Sequence, residues 1–234
     1  MDKKDLVEIK KGEFGTGLLI ENDGYISMTE SKNNKKIYES MIDGEWNVPN
    51  PFIVDAVFQK FDIKNANGRV YPERVLKKQV EIYQQKINER RAYGELNHPA
   101  ESTIDLGRIS HNIIELHWEG RTLVGKMELN ISEGYRRSGI VSTMGDMAAN
   151  LLLNGYLIGV SSRGVGSVEQ KLGQTIVGDD FELICWDIVS DNSTPGAKIS
   201  MNGREELSQY IEEKTTTKKK INEKLDKINK ILMS

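Results

Sequence analysis

The sequence predicts an α+β domain in which a few helices surround an antiparallel sheet or barrel. Several segments rich in β-branched and aromatic residues are bounded by Gly, Asn and Pro, which is typical of short strands. Two other segments space their apolar residues at helical intervals. Hydrophobic residues make up 38% and charged residues 29% of the 234 positions, as in ordinary globular proteins.

The first quarter of the chain is predicted to form strands. Over residues 6–60, three segments are separated by Gly, Asn and Pro: "GTGLLIENDGYISM", "IYESMIDGEWNVPNP" and "FIVDAVFQKFDI". We therefore expect three strands before the first helix.

The segment "NANGRVYPERVLKKQVEIYQQKINERRAYG" predicts a long helix. A polar turn leads to Pro72, which suits the first helical turn, and the helix should end before Gly94. The residues at helical spacing, and hence the predicted buried face, are Val75, Leu76, Val80, Tyr83 and Ile87.

The middle of the chain predicts a hairpin and a second helix. In "GRISHNIIELHWEGRTLVGKMEL", two apolar runs flank a turn at residues 119–121. The segment "TMGDMAANLLLNGY" is helical and should end near Gly155. Strands then follow at "LIGVSSRGV" and "TIVGDDFELICWDIV".

Charge and hydropathy disfavour membrane and nucleic-acid partners. The formal net charge is −3 and the pI is near 5.8, so the chain has no positive excess to attract either. No apolar run approaches the roughly 20 residues of a membrane span, and "MDKKDLVEIKKGE" lacks the apolar core of a signal peptide. We expect a soluble intracellular protein.

The composition changes near residue 204, which predicts a domain over 1–203 and a charged helical tail over 204–234. A single apolar stripe runs along the tail at Ile221, Leu225, Ile228 and Leu232. Three interpretations stay open: a solvated helix, a helix for self-association or a partner, and nucleic-acid contact through "KTTTKKK".

The stretch "GVSSRGVGS" at 159–167 first suggests a phosphate loop. Gly159 and Gly164 have the Walker A spacing, but Val165 and Gly166 stand where Lys and Ser or Thr are required. No helical periodicity follows the glycines, so a dinucleotide site is also disfavoured. The two adjacent serines remain as candidate nucleophiles.

A catalytic serine needs a histidine base and a partner that orients it. His111 and His117 lie in the predicted hairpin and are interpreted as structural residues. His98 precedes Pro99 in "YGELNHPAES" and is therefore held in an extended or turn conformation, which suits a base. Glu95 and His98 have no second ligand cluster, so we expect no metal and no cofactor.

The segment "FELICWDIV" supplies a candidate acid. Strand alternation places Asp187 on one face with Leu183 and Cys185, where an ionised carboxylate should be paired. Asp191 in "SDNSTPG" is the alternative acid. Cys185 is the only cysteine, so no intramolecular disulfide can form, and we expect it to be a buried small hydrophobe.

Four blocks over about residues 53–197 resemble a known family. In order they are "NANGRVYPERVL", "GELNHP", "GVSSRGVGS" and "DIVSDNSTPGA". Together they are similar to the prohead (procapsid maturation) proteases of contractile-tailed bacteriophages, serine proteases related in fold to herpesvirus assemblin. The resemblance implies an assemblin-like antiparallel β-barrel core with surrounding helices.

The resemblance also implies the site residues. His98 would be the general base, Ser161 the nucleophile and Asp187 the third member of the triad. Ser162 stays open as the alternative nucleophile, because the Ser-x-Gly count of more distant relatives would select it. An oxyanion site would use the Arg163 side chain and the backbone N–H groups of Ser162, Arg163 and Gly164.

The function implied is serine endopeptidase activity inside the phage prohead, in the host cytoplasm. Substrates would be head scaffold or core proteins, capsid proteins and the protease itself, cleaved after Glu. "IEE" at 211–213 and "INE" at 221–223 fit that preference in the tail. A homo-oligomer is expected, without specific nucleic acid. The alternative is a non-enzymatic scaffold or core protein of the prohead.

Overall fold

The computed structural model describes residues 16–28, 31–42, 46, 48–65, 67–99 and 102–190. Asp191 and the predicted tail lie outside the described residues. The elements are β1 (Thr16–Ile26), α1 (Lys32–Ile42), β2 (Ile53–Lys60), β3 (Arg69–Val70), α2 (Glu73–Asn88), β4 (Tyr93–Glu95), β5 (Ile109–Glu119), β6 (Thr122–Leu129), α3 (Glu133–Ser138), α4 (Met144–Leu153), β7 (Ile158–Lys171), β8 (Gln174–Val177) and β9 (Glu182–Val189).

Within these residues the nine strands form one curled sheet. The strand order is β3-β8-β7-β1-β2-β6-β5-β4. The remaining strand, β9, also pairs with β7, which therefore has β1 and β9 as neighbours. Just after β4, Leu96 forms a single bridge with Ile188 of β9, and the Asn97 N–H donates to the Ile188 carbonyl at 2.7 Å. The sheet therefore curls back toward β9 as a half-barrel, and the predicted α+β class with a mainly antiparallel sheet is confirmed.

Helix α2 packs against one face of the sheet, which we call the core face. The five apolar residues predicted to face the core are all buried. Tyr83 of α2 lies edge-on to Trp186 of β9, with ring centroids 5.0 Å apart, and Trp186 also packs against Phe58 of β2 at 5.5 Å. The Gln79 side chain accepts the Leu183 N–H at 3.0 Å, which fixes the helix to β9.

The predicted hairpin and second helix are also confirmed. Gly120 has φ +59 at the turn between β5 and β6, a conformation that favours glycine. Helix α4 begins with a capping box, in which the Thr143 side chain and Asp146 satisfy each other's backbone N–H groups. Gly155, with φ +79, follows the end of this helix.

The strand predicted at "IYESMIDGEWNVPNP" is wrong, because its first part belongs to helix α1. The Ser31 hydroxyl accepts the Asn34 N–H at 2.9 Å in the first turn, as an N-cap does. Asn34 is buried, and its side chain bonds the Ser27 carbonyl and both backbone groups of Asp55. These bonds tie the helix to β2, an effect that local strand propensity does not reveal.

The predicted final strand divides into β8 and β9, and β9 contains a bulge. Arg163 pairs with Cys185 but Gly164 pairs with Leu183, so Ile184 is skipped. Leu183 therefore packs in the core, whereas Cys185 and Asp187 point the other way. The expectation that Leu183 shares a face with Asp187 is wrong, because a bulge interrupts the alternation of side chains.

Candidate active site

Strand β7 carries both candidate serines, and its pairing separates them. Ser161 pairs with Asp187 of β9, and Ser162 pairs with Trp186. Directly paired residues of antiparallel strands project to the same face. Ser162 and Trp186 thus belong to the core face, and Ser161 and Asp187 to the opposite one, which we call the outer face.

His98 completes a hydrogen-bonded chain on the outer face. Its Nδ1 lies 2.8 Å from Asp187 Oδ2, and its Nε2 contacts Ser161 Oγ in a short hydrogen bond. The structure therefore brings together all three residues of the predicted triad. Ser161 and Asp187 are fully buried, and the His98 side chain is 14% exposed.

The motif "GELNHP" positions His98 by anchoring to β9. A Cβ at Gly94 would lie 2.1 Å from the Trp186 carbonyl oxygen, so only glycine allows this approach of β4 to β9. The Glu95 N–H donates to Asp187 Oδ1 at 2.9 Å. Asn97, with φ +65, then turns the chain so that His98 reaches over the site.

Four residues donate hydrogen bonds to the Asp187 carboxylate: His98, Arg163, Cys185 and, through its backbone N–H, Glu95. Arg163 Nε lies 3.0 Å from Oδ2 and Nη2 lies 3.3 Å from Oδ1, and the Cys185 thiol donates to Oδ1 at 3.3 Å. Burial alone would raise the pKa of Asp187. The hydrogen bond from His98, the Arg163 charge and the Glu95 N–H outweigh burial and lower this pKa below its usual 3.8.

Arg163 also binds a second buried carboxylate. Its Nη2 lies 3.4 Å from Glu95 Oε1, and its Nη1 donates to the Thr103 carbonyl at 3.1 Å. Glu95 Oε1 accepts the Asp105 N–H at 2.6 Å. Arg163 and Glu95 thus fasten the segment that carries His98. Neither residue's anchoring role follows from the sequence pattern, although Glu95 stands in "GELNHP" and Arg163 in "GVSSRGVGS".

The expected oxyanion site is not supported. The Arg163 guanidinium is fully buried and turned toward Asp187, Glu95 and Thr103, so its side chain is not a free donor. Residues 162–164 of β7 pair with β1 on one side and with β9 on the other. The backbone N–H groups of these three residues are therefore used in hydrogen bonds between strands. Gly164 is required for packing, since a Cβ at this position would lie 2.4 Å from the Phe181 ring.

The remaining candidates lie away from the triad's chain of hydrogen bonds. Ser162 Oγ is buried and has no hydrogen-bond partner within the described part of the chain. His111 is buried, its Nδ1 lies 2.9 Å from Ser110 Oγ, and burial lowers its pKa to about 4. His117 is half exposed between Glu115 and Glu119.

Among the described residues, no group of three or more His, Cys, Asp or Glu side chains is arranged to hold a metal ion. In the same part of the chain, no helix is long and apolar enough to cross a bilayer. Cys185 is buried, as predicted, and has a free thiol. Burial raises the pKa of this thiol well above its usual value.

A hydroxyl, an imidazole and a buried carboxylate bonded in series are the arrangement of a hydrolase that acts through a nucleophile. A family model described as prohead core protein serine protease matches residues 18–209. The chain belongs to this family and is a peptidase, so the predicted family is confirmed.

A curated protein and a solved structure from the same virus agree with the family. The chain is 32% identical over 150 residues to the prohead core protein protease of Enterobacteria phage T4, covering 63% of this chain and 67% of that protein. The solved structure of the bacteriophage T4 capsid assembly protease is similar, with a TM-score of 0.59 and 26% identity. That match covers 75% of this chain and 98% of the solved one.

Proposed function

We propose that this chain is a serine endopeptidase in which Ser161 is the nucleophile, His98 the general base and Asp187 the acid of the triad. The observation that carries the proposal is the continuous series of hydrogen bonds from Asp187 through His98 to Ser161. Family membership supplies the reaction class.

The geometry supports the following steps. Asp187 accepts the Nδ1–H of His98, which leaves Nε2 free to take the Ser161 proton as Oγ attacks the peptide carbonyl carbon. The protonated imidazole then gives this proton to the leaving amine, and an acyl-enzyme remains on Ser161. Water, deprotonated by His98, hydrolyses the ester and restores the serine.

Ser161 is favoured over Ser162 because Ser162 belongs to the core face with Trp186 and has no contact with His98 among the described residues. Asp187 is favoured as the acid because His98 already binds it; Asp191 remains the alternative outside the described residues. Ser161 is fully buried in this structure, so neighbouring side chains must move before a substrate carbonyl reaches it.

We further propose that the enzyme acts inside the prohead, assembled in the host cytoplasm, on head core or scaffold proteins and capsid proteins. The names of the T4 protein and of the T4 structure support these substrates. We also propose an assemblin-type barrel for residues 1–203 followed by the tail 204–234, a homo-oligomeric state, and no specific nucleic-acid partner.

Cleavage after Glu is proposed, including self-cleavage of the tail after Glu213 or Glu223. Both sites have an aliphatic residue two positions before the Glu. Intact-mass measurement of protein recovered from mature heads should show loss of the C-terminal segment. An unchanged mass in active, assembled protein would exclude self-trimming.

Covalent trapping tests the proposed chemistry. Protein that is cleaving a Glu-containing head protein is treated with a fluorophosphonate, and the modified residue is identified by peptide mass spectrometry. We expect the phosphonate on Ser161, and its absence from a His98→Ala variant. Turnover that continues without a modified serine would contradict the proposal, and no cleavage under assembly conditions would favour the non-enzymatic scaffold.

A further inference from the structure

A cavity of about 410 Å³ lies over strands β1, β2, β5 and β6, with residues of α1 and the turn before it at one end. We call it the outer-face cavity. Its lining includes Tyr25, Asn34, Asp55, Val57, His117 and Lys126. Its size is in the range of binding sites for small ligands and short peptide segments.

Strand register shows that this cavity lies on the same face of the sheet as Ser161. Tyr25 of β1 pairs with Gly159 of β7 on one side and with Val57 of β2 on the other. Gly159 and Ser161 are two residues apart on one strand, so they share a face. Residues paired across neighbouring strands form a row on one face of the sheet. This row continues from Val57 to Val124 of β6 and then to His117 of β5.

The separation suits a polypeptide substrate. Val57 is two strands away from β7, and Ser161 is two residues along β7 from the row that includes Val57. With strands about 4.8 Å apart and a rise of about 3.3 Å per residue, the path from Ser161 to Val57 is roughly 12 Å. About four residues of an extended chain span this distance.

The opposite side of Ser161 is already covered. The segment before His98 pairs alongside β9 through the bridge of Leu96 with Ile188. On the outer face the His98 ring binds Asp187 of β9, and the Thr103 carbonyl accepts a hydrogen bond from Arg163. A substrate that reaches Ser161 along the outer face therefore lies over β1 and beyond, which is the direction of the outer-face cavity.

The lining has groups suited to peptide recognition. Asp55 Oδ1 is buried and has no hydrogen-bond partner within the described part of the chain, so it is an acceptor without a donor. Val57 and Val124 form an apolar wall beside it. Lys126 pairs with Asp55 across β2 and β6, and its ammonium group binds Glu115 at 2.5 Å. The Lys126 charge acts on Asp55, but Asp55 Oδ1 receives no hydrogen bond within the described residues and stays available as an acceptor.

We propose that the outer-face cavity binds an extended stretch of the substrate polypeptide flanking the scissile bond. An aliphatic side chain of the substrate packs against Val57 and Val124, and a peptide N–H or a basic side chain donates to Asp55. This inference rests on the proposed function, because it extends the site at Ser161.

Two variants test the subsite without touching the triad. Val124→Phe fills the cavity, and Asp55→Asn removes the charge with little change of shape. Each is measured on a long Glu-containing polypeptide and on a small activated ester that cannot span 12 Å. Ile82→Phe, at an exposed position on α2, is the matched control.

We expect KM for the polypeptide to rise about tenfold in Val124→Phe and severalfold in Asp55→Asn, with ester turnover unchanged and Ile82→Phe normal. Unchanged KM for the polypeptide in both variants would overturn the subsite while leaving the protease intact. If Val124→Phe does not fold, the result for Asp55→Asn decides. Absence of Ser161-dependent turnover in the unaltered chain would instead overturn the proposed function, and the subsite with it.

Discussion

Asp187 receives most of the hydrogen bonds in the site, from a histidine, an arginine, a thiol and a backbone N–H. Of these donors, Arg163 alone has a permanent charge. It also binds Glu95, so one cation stabilises two buried carboxylates. In the proposed mechanism Arg163 is therefore a positioning residue, which acts on the reaction through Asp187.

Replacing Arg163 by Lys should shift the pH dependence of catalysis. Lysine keeps the positive charge, but its single ammonium group cannot reproduce the contacts of the planar guanidinium group with both Asp187 and Glu95. The pKa of Asp187 should rise, so the active, ionised form should be lost at a higher pH as the solution is acidified. We expect kcat/KM to fall at least tenfold and the acid limb of its pH profile to move upward. A uniform loss at all pH values would show a merely structural role.

Two other buried residues titrate in opposite senses. Burial and the neighbouring Glu21 charge raise the pKa of Asp23 from 3.8 to about 7, against smaller effects of Asn65, Lys60 and Arg69. Burial lowers the pKa of His111 from 6.5 to about 4. The folded state binds the Asp23 proton more tightly than the unfolded state, whereas it binds the His111 proton less tightly. Between about pH 4 and 6.5 their effects on stability oppose each other.

Single substitutions should expose these opposing effects. Relative to Asp23→Asn, the unaltered protein should lose about 4 kcal/mol of stability as pH rises from 4 to 7, since one pKa unit corresponds to about 1.4 kcal/mol. Relative to His111→Asn, it should gain about 3 kcal/mol from pH 4 to 6.5. Urea unfolding at several pH values measures both differences. If the differences in free energy of unfolding between the unaltered protein and both variants did not vary with pH, the shifted pKa values of Asp23 and His111 would be contradicted.

At the scale of elements, the short strand β4 determines where His98 lies. It pairs with β5 on one side, and Gly94 packs against the Trp186 backbone on the other. The position of the proposed base therefore depends on one close approach between β4 and β9. No helix contributes a residue of the proposed triad, since Ser161 and Asp187 lie on strands and His98 on the segment after β4.

Gly94→Ala should separate β4 from β9. The added Cβ would meet the Trp186 carbonyl oxygen at 2.1 Å and the His111 ring at 2.3 Å, and backbone cannot yield cheaply. We expect a loss of about 3 kcal/mol in stability, at the upper end of the usual cost of overpacking a core, and loss of cleavage. Gly134→Ala, where the nearest atom is 3.8 Å away, is the control and should remain active and stable. Urea unfolding and a cleavage assay measure both effects.

The elements also show what the sequence could predict. The spacing of Val75, Leu76 and Val80 predicted α2 because one continuous stripe faces the core. Helix α1 was missed because contacts to β2 through Asn34, made across the fold, decide its structure. The bulge at Ile184 was missed because nothing local marks the skipped residue, and it alone redirects Leu183.

For the whole molecule, the curled sheet separates two tasks. Its core face packs on α2 through Trp186, and its outer face carries the proposed triad. Motif resemblance was enough to propose His98, Ser161 and Asp187, but the choice between adjacent serines requires the pairing of β7 with β9. The sequence also does not show that β7 has a neighbouring strand on each side, whose pairing engages the N–H groups expected to be oxyanion donors.

The most direct measurement compares Ser161→Ala with Ser162→Ala on cleavage of a Glu-containing head protein. Each substitution removes one hydroxyl oxygen, and the two residues are adjacent on one strand. The variants therefore differ only in the face of the sheet, outer or core, from which the hydroxyl is removed. We predict that Ser161→Ala lowers kcat at least 10³-fold, as loss of a triad nucleophile does, while Ser162→Ala stays within a few fold of the unaltered protein. Full activity of Ser161→Ala, or its loss in Ser162→Ala alone, would contradict the assignment of Ser161 as nucleophile.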